Sequence, residues 1–323
     1  MKIGLIGYGY WGKHYARIFT SYPQSLLATI VDQDVSHRQL AQQRYPNVSV
    51  SATLDGLSNV DAVVIVTPPQ THYALARWAL TRGKHVLLEK PATTDLHHIV
   101  ELYRLAHQNH VTLMISEPFL FSPEFSRLKE MIHKGALGSV RYMESIRTHG
   151  LARCDVDVIW DFMPHDLGIA AYLLGVESPT AIKRLTMSSQ NLTTDVASIY
   201  LHYSTYTYSV YLNWRSPVKR RQLAIVGTTG YALYDATATD GTLKFTCDHD
   251  APLQSMSFSG HEPLKTMCDQ FLALLHRGET PADQERRTVE GIAILTQISP
   301  LPPSLPSREA SSIINFREGR RRR

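Results

Sequence analysis

Three glycines near the N-terminus constrain the fold of this chain more than any other feature. Gly7, Gly9 and Gly12 follow the apolar run KIGLIG in G-x-G-x-x-G spacing and open a helical pattern. Gly7 permits a tight turn, Gly9 lets the backbone approach a pyrophosphate, and Gly12 lets the helix pack closely on the strand. The spacing predicts a strand, a turn and a helix with a phosphate site at the helix N-terminus.

A carboxylate at a fixed distance from the glycines strengthens this prediction. Asp32 ends the next apolar run, LLATIVD, 20 residues beyond Gly12. At that distance a carboxylate can bind the adenosine ribose 2′-hydroxyl of a dinucleotide. It repels a 2′-phosphate, so we predict NAD as the cofactor, with NADP as the alternative. Arg38 and Arg44 could reverse that preference, but we expect them on the solvated face of the following helix.

The order of apolar runs predicts two α/β domains and a tail. Through residue 118, short runs such as DAVVIVT, HVLLEK and VTLMIS alternate with helical patterns. This alternation is typical of a parallel sheet in a Rossmann dinucleotide-binding domain. Residues 119–299 contain β-rich runs with alternating polarity, which predict a second α/β domain with a large open, mostly antiparallel sheet. Residues 300–323 form a Pro-rich, Arg-ended tail.

Composition and charge argue against several classes of protein. No apolar run approaches the roughly 18 to 20 residues that span a bilayer, and the N-terminus enters a strand pattern directly, so we predict a cytoplasmic protein without a membrane span. The formal net charge of +4 is carried entirely by the last seven residues, REGRRRR. We therefore predict no nucleic-acid partner. The three cysteines are widely separated, so we predict neither a disulfide nor a metal site.

Two further motifs lie at the predicted carboxyl ends of parallel strands, the edge at which open α/β sheets bind ligands. VTPPQTH supplies Thr67, Pro68 and His72, and GKHVLLEKPATT supplies Glu89 and Lys90. We expect all five residues to contact the cofactor, with Lys90 facing the nicotinamide. The alternative is a surface ion pair between Glu89 and Lys90.

Together these motifs resemble one known family. GYGYWG, TPPQTHYALARWALTRGKHVLLEKP and a later D-x-x-x-H are similar to the Gfo/Idh/MocA oxidoreductases over most of residues 1 to 298. The resemblance implies reversible hydride transfer between NAD(P) and a sugar or cyclitol, with residues 119–299 as the domain that binds substrate and makes oligomer contacts. It implies a catalytic role for Lys90, Asp161 and His165, and we place Tyr10 and Trp11 of GYGYWG with the cofactor.

The D-x-x-x-H motif lies in WDFMPHDLG, where Asp161 and His165 are four residues apart and so share one face of a helix. Histidine can accept a hydroxyl proton near neutral pH, so we predict His165 as the base, with Lys90 as the alternative. Lys90 would stabilise the developing alkoxide, and Asp161 would orient the substrate or the imidazole.

The remaining residues of this stretch carry weaker predictions. We expect Pro164 in the first turn of the helix, where proline is tolerated. Trp160 would give the substrate a flat apolar wall, and Asp166 would cap the helix or pair with another group.

Two segments, IWDFMPHDLGIAAYLLG and LNWRSPVKRRQLAIVGTTGYALYDA, are similar to the W-D-x-x-P-H-D and S-W-x-x-P-x-K-x-R patterns of the branch of the family that acts on nucleotide-activated amino sugars. Within that branch, the UDP-N-acetylglucosamine 3-dehydrogenases are most alike. This resemblance implies NAD-dependent oxidation of the 3-hydroxyl of a UDP-N-acetyl amino sugar by a homo-oligomer, a dimer or tetramer. The product would pass to an aminotransferase in diamino-sugar lipid A synthesis. A diphosphate needs cations, and the candidates are Arg147, Arg153, Lys219, Arg220 and Arg221.

Other functions fit the same patterns. The cations could lie on a solvated strand edge, and the chain could be an NDP-3-keto-deoxysugar reductase or a dehydrogenase of a free sugar or inositol. A more remote alternative is a regulator that binds NAD without catalysis; the presence of Lys90 and His165 argues against it.

Overall fold

The computed structural model of the chain describes residues 1–23, 26–149, 156–188, 194–238, 243–258 and 260–300. Within these ranges the chain forms two sheets and eight α-helices, which confirms the predicted α/β class. The predicted tail lies outside the described residues from position 301 onward. Among the described helices, none has the length and apolar character needed to cross a membrane.

The first sheet has six parallel strands in the order β3-β2-β1-β4-β5-β6, as the alternating runs predicted. Its strands are short and largely buried, because helices cover both faces of such a sheet. The strands are β1 Ile3–Ile6, β2 Leu27–Val31, β3 Ser49–Ser51, β4 Ala62–Ile65, β5 His85–Leu88 and β6 Leu113–Ile115. The helices between them are α1 Tyr10–Thr20, α2 Val35–Arg44, α3 Pro69–Leu80 and α4 Leu96–Gln108. The strand order reverses between β1 and β4, where such sheets bind ligands at their carboxyl edge.

The second sheet has eight strands in the order β14-β13-β12-β11-β7-β10-β9-β8. Only β7 and β10 run parallel among its described pairs, so the sheet is mostly antiparallel, as predicted. Its strands are β7 Val140–Thr148, β8 Ala181–Met187, β9 Val196–His202, β10 Thr207–Asn213, β11 Arg220–Gly227, β12 Tyr231–Asp235, β13 Leu243–Thr246 and β14 Gln254–Met256.

Two helices cover one face of this second sheet. They are α5 (Pro123–His133) and α6 (Val158–Leu174), and α6 packs against β9 and β10. Along β10, the alternate residues Tyr208, Val210 and Leu212 are buried, and their neighbours are partly exposed. The sheet therefore has one covered face and one open face.

Helix α6 carries the WDFMPHDLG stretch, and its start differs from the prediction. Asp157 caps the helix by accepting a hydrogen bond from the backbone N–H of Trp160 at 2.9 Å. The helix therefore begins at Val158, and Pro164 lies in its interior rather than in its first turn. Because proline has no N–H, the carbonyl of Trp160 loses its helical partner, although the helix continues through Pro164 to Leu174.

The last two helices, α7 (Pro263–Leu275) and α8 (Ala282–Ile298), return to the first sheet. Met267 and Phe271 of α7 belong to the same buried cluster as Ile3 and Leu5 of β1. On α8, the Gln284 side chain bonds both the N–H and the carbonyl of Ile115, each at 2.9 Å, and so covers the edge of the sheet. The predicted boundary at residue 118 remains a prediction, and part of the segment beyond it packs on the first sheet.

Candidate active site

The glycine turn between β1 and α1 has the geometry that its spacing predicts. Gly7 has φ +97°, and a Cβ there would lie 2.6 Å from the carbonyl oxygen of Val66. A Cβ at Gly12 would lie 2.2 Å from the carbonyl oxygen of Gly7. At Gly9 a Cβ would meet no described atom within 4 Å, and no described side chain caps α1. The first N–H groups of α1 therefore face open space in which a phosphate fits.

The carboxylate of Asp32 lies at the same edge, directly after β2. Its Oδ2 accepts a hydrogen bond from Tyr8 N at 2.6 Å, and its Oδ1 accepts one from Asp34 N at 2.8 Å. The Nδ1 of His37 lies 3.2 Å from Oδ2. Two carboxylate oxygens offer about four lone-pair positions, so Asp32 keeps capacity for a ribose hydroxyl.

Arg38 does not lie on the solvated helix face where we expected it. Its guanidinium donates to the carbonyl oxygens of Asp32 at 2.9 Å and of Gln33 at 2.7 Å. The cation therefore folds back to the turn in which a 2′-phosphate would lie. Charge at this turn alone does not decide between NAD and NADP.

A cavity of about 570 Å³ opens at this edge, within the usual size range of ligand sites. Five of the residues predicted to bind the cofactor line it: Gly7, Gly9, Asp32, Thr67 and Pro68. Tyr10 and Trp11 lie at the start of α1 with exposed fractions of 74% and 45%, and their rings meet edge to face. The glycine turn, the carboxylate and the cavity together fit a dinucleotide.

Two residues predicted to bind the cofactor are directed into the protein instead. Glu89 accepts hydrogen bonds from Tyr15 Oη at 2.7 Å, Ser116 Oγ at 2.8 Å and the backbone N–H of Lys90 at 3.1 Å, whereas the Lys90 ammonium pairs with Asp161 instead. The ring of His72 is fully buried, and both of its nitrogens face backbone carbonyl oxygens. In the structure these side chains contact the loops that would hold the cofactor.

Lys90 reaches from the end of β5 to α6. Its Nζ donates to the carbonyl oxygen of Asp161 at 2.8 Å and lies 3.2 Å from Asp161 Oδ1. The other carboxylate oxygen of Asp161 accepts a hydrogen bond from Trp214 Nε1 at 3.1 Å. Asp161 therefore holds Lys90. The sequence left two roles open for Asp161, orienting the substrate or orienting the imidazole of His165, and the contact with Lys90 was not among them.

His165 lies one turn after Asp161 and is partly exposed. Its ring meets Phe119 edge to face at 4.8 Å between centroids and makes no hydrogen bond to any residue that the structure describes. Burial, followed by the positive charges of Lys90, Arg147 and Arg221, lowers the pKa of His165 well below its ordinary value. The imidazole is therefore neutral near pH 7 and available as a proton acceptor.

Asp166, which the sequence left unassigned, is completely buried and pairs with a cation. Its Oδ1 accepts hydrogen bonds from Arg147 Nε at 2.7 Å and Ser145 Oγ at 2.6 Å. Arg147 in turn lies directly opposite Arg221 in the β7–β11 pairing. Arg221 stacks over Phe162 at 4.8 Å and donates to the carbonyl oxygen of His149 at 3.1 Å. Two of the predicted substrate-binding arginines thus lie side by side.

Three other predicted substrate-binding residues do not join this group: Trp160, Lys219 and Arg220, which is exposed at the first position of β11. The indole of Trp160 is completely buried and donates to the carbonyl oxygen of Ser299 at 2.9 Å, so it is part of the core and not a wall for substrate. Successive helical residues differ by about 100° around the axis, which places Trp160 away from Asp161. Lys219 is exposed in the turn before β11. Arg153 lies outside the described residues.

Sequence reasoning missed two residues of the site. Trp214 binds Asp161, and its signal was the NWRSP segment, which we used only for family resemblance. Glu117 follows β6 at the carboxyl edge and lines a small cavity together with Lys90 and His165. Its position after a parallel strand was the available signal for Glu117.

Comparison with known proteins agrees with this geometry. Residues 1–117 match GFO_IDH_MocA, described as "Oxidoreductase family, NAD-binding Rossmann fold". The chain is 30% identical over 208 residues to the UDP-N-acetylglucosamine 3-dehydrogenase of Acidithiobacillus ferrooxidans, covering 62% of this chain and 63% of that protein. It is also 30% identical over 201 residues to inositol 2-dehydrogenase 4 of Saccharopolyspora erythraea, covering 59% of each chain. The matched region spans less than two thirds of either relative.

A solved structure extends the likeness to the second sheet. The structure of UDP-N-acetylglucosamine 3-dehydrogenase from Acidithiobacillus ferrooxidans matches with a TM-score of 0.81 at 24% identity, covering 92% of this chain and 96% of that one. At this identity the match shows a shared fold.

Proposed function

We propose that this chain is a Gfo/Idh/MocA oxidoreductase that oxidises the 3-hydroxyl of a UDP-N-acetyl amino sugar with NAD. The match of residues 1–117 to that family and the likeness to a UDP-N-acetylglucosamine 3-dehydrogenase support the proposal. The observation that carries the proposal is the contact between Lys90 and Asp161. Lys90 belongs to the carboxyl edge of the first sheet, beside the loops that would hold the cofactor. Its contact with Asp161 places the ammonium group next to His165. A bound nicotinamide would accept a hydride there, and the residues of the chain would handle the proton.

His165 is the proposed base. A free alcohol is a poor hydride donor, so the hydroxyl proton has to leave as the hydride departs. The lowered pKa keeps the imidazole neutral at neutral pH, and no described residue occupies its ring nitrogens. Lys90 is a weaker candidate, because its deprotonation would leave the partly buried carboxylate of Asp161 without its cation.

Lys90 is proposed to stabilise the negative charge that develops on the substrate oxygen. An ammonium group has three N–H donors, and Asp161 accepts two of them through its carbonyl and its Oδ1. One donor remains for the substrate. Because Trp214 fixes the opposite carboxylate oxygen, Asp161 holds Lys90 in one direction, and this preorganisation favours electrostatic stabilisation.

The charges around His165 support an anionic substrate. Among the described residues, the three cations Lys90, Arg147 and Arg221 outnumber by one the two carboxylates that pair with this group, Asp161 and Asp166. Like charges directly opposite each other on neighbouring strands destabilise a sheet, yet Arg147 and Arg221 hold these positions. A diphosphate would compensate for this repulsion, since guanidinium groups bind phosphate oxygens in pairs.

The proposal also includes self-association and a downstream enzyme. Leu185 and Met187 on β8 are 69% and 65% exposed and share the open face of the second sheet with Tyr200. An apolar face of this kind suits contact with a second copy of the chain. Sedimentation should therefore show a dimer or tetramer that Leu185→Glu weakens.

The 3-keto product would pass to an aminotransferase, as in diamino-sugar lipid A synthesis.

The test is a substrate panel with NAD and a trapping aminotransferase, followed by absorbance of the reduced cofactor. We expect a signal with UDP-N-acetylglucosamine and none with glucose or myo-inositol. A signal with myo-inositol alone would favour the inositol dehydrogenase alternative, which the relative from Saccharopolyspora erythraea supports. No signal with any UDP-sugar would refute the proposed substrate class.

A matched pair of variants tests the diphosphate contact. Arg221→Met should raise the KM for the UDP-sugar by about 10-fold or more, because hydrogen bonds to charged groups contribute about 1.5 to 3 kcal/mol each. Arg141→Met removes an exposed arginine at the other end of β7 and should leave KM unchanged. Equal KM values for the two variants would show that Arg221 does not contact the substrate.

A further inference from the structure

The ring of His72 joins the loops that follow two neighbouring strands. His72 lies in the first turn of α3 and has an exposed fraction of 0%. Its Nε2 lies 2.8 Å from the carbonyl oxygen of Thr67, after β4, and its Nδ1 lies 2.9 Å from the carbonyl oxygen of Pro91, after β5. Both separations are normal for an N–H···O hydrogen bond.

Each ring nitrogen faces a carbonyl oxygen, a group that accepts hydrogen bonds and cannot donate them. A neutral imidazole has one N–H and one bare nitrogen, so its lone pair would face one of the two oxygens. The carbonyl oxygen that faces the bare nitrogen would receive no hydrogen bond from the ring, and an unpaired buried carbonyl is unfavourable. An imidazolium has two N–H groups and satisfies both contacts.

We propose that His72 is a doubly protonated positioning residue, an imidazolium that ties the Thr67 loop to the Pro91 loop and thereby fixes Lys90. Pro91 directly follows Lys90, and Thr67 lines the cofactor cavity. The ring therefore sets the distance between the loop that would hold the cofactor and the lysine that would act on the substrate. The protonation state stands by itself, and the effect on Lys90 rests on the proposed function.

The position of His72 on its helix supports a positioning role. The first turn of a helix disfavours a positive charge, so the charge does not serve to stabilise α3. Burial also disfavours the charge, and the two charge-assisted hydrogen bonds from the ring have to compensate for both effects. The cation is held where it joins two loops.

His85 in the same sheet provides an internal comparison. Its Nδ1 accepts a hydrogen bond from the backbone N–H of Thr112 at 2.9 Å, and burial lowers its pKa. The accepted hydrogen bond requires a bare Nδ1, and the lowered pKa favours the same neutral ring. His85 begins β5, so it lies at the opposite edge of the sheet from the site.

The protonation state can be measured on the full chain with nitrogen-15 labelled histidine. NMR at neutral pH should show both ring nitrogens of His72 protonated and one bare nitrogen in His85. His72→Gln and His85→Gln assign the two signals by their loss, without any need for activity. A bare ring nitrogen at His72 would overturn the proposal.

A double-mutant cycle on kcat tests the positioning role. His72→Gln should lower kcat by on the order of 10- to 100-fold through misplacement of Lys90, with little change in the KM for the sugar. In a Lys90→Ala background the same change should have an effect of about twofold or less, because the two residues act as one unit. His85→Gln should leave kcat unchanged.

Equal losses in both backgrounds would mean that His72 only supports the fold, which overturns the positioning role. If His72→Gln does not fold, its NMR spectrum cannot be used to assign the His72 signals. His72→Asn then replaces it in both the NMR measurement and the kcat measurement. A chain that oxidises none of the UDP-sugars but shows the doubly protonated ring would refute the proposed substrate and leave the protonation state established.

Discussion

Two regions of this chain are built in different ways, although both lie at the carboxyl edge of the first sheet. The cofactor region, formed by Gly7, Gly9, Gly12 and Asp32, occupies a short segment of sequence, and backbone geometry dominates it. The reacting region, formed by Lys90, Asp161, His165 and Trp214, depends on contacts between residues 71 and 53 positions apart. The first is specified locally, whereas the second exists only once both sheets are in place.

The difference predicts different consequences for substitutions. In the cofactor region the backbone N–H groups and one carboxylate are proposed to bind the cofactor, so a substitution should change its affinity. In the reacting region side chains would stabilise charge and move a proton, so a substitution should change turnover. Measuring binding and kcat separately tests whether the two regions are distinct in function.

The largest expected effect is that of Lys90→Ala. Loss of the ammonium removes the donor proposed to stabilise the substrate oxygen, and kcat should fall by about 10²- to 10³-fold. NAD should still bind, because the glycine turn and Asp32 are unchanged. Steady-state kinetics and cofactor titration measure the two quantities.

The control for this prediction is Lys134→Ala. Lys134 is exposed on the surface after α5 and pairs with Glu130, so its removal should leave kcat unchanged. If Lys90→Ala kept near-normal turnover, the reacting region would have to be placed elsewhere.

The contrast between the regions explains what the sequence could predict. The glycine spacing and the strand-end position of Asp32 follow from local rules, and the structure has both at the predicted edge. The parallel order of the first sheet follows from the alternation of runs. Spacing also placed Asp161 and His165 on one helix, but it could not show that Asp161 would bind Lys90.

The failures have a common physical cause. Trp160 is completely buried although its neighbour Asp161 reaches the site, because adjacent helical residues point in different directions. Pro164 lies inside α6 because Asp157 caps the helix earlier than the proline suggested. Tertiary packing decides which face of a helix contacts which sheet. The local sequence around Trp160 or Pro164 does not determine this packing.

An intermediate effect is expected for Asp32→Ala in the cofactor region. Loss of a charged hydrogen-bond acceptor for the ribose should weaken NAD binding by about 10- to 100-fold. NADP should lose less or gain, since the repulsion of its 2′-phosphate disappears while Arg38 remains at the turn. Titration with each cofactor gives the ratio.

The comparison variant is Asp55→Ala, which removes an acidic residue from the nearby 3-10 turn Leu54–Leu57. It should leave the ratio of NAD to NADP affinity unchanged. If the ratio were also unchanged in Asp32→Ala, Asp32 would not contact the ribose, and the cofactor region would lose its proposed source of specificity.

The smallest expected effect concerns stability and comes from the charge around His165. Burial and three nearby cations lower its pKa in the folded chain, whereas an unfolded chain protonates histidine at about pH 6.5. Below that pH the unfolded state therefore binds a proton that the folded state does not, and the free energy of unfolding falls. Denaturant titrations between neutral and mildly acidic pH should show this loss, and His165→Asn should lack it. If the stability difference between the two proteins did not vary with pH, the cations would not act on His165, and the reacting region would lose its electrostatic distinction from the cofactor region.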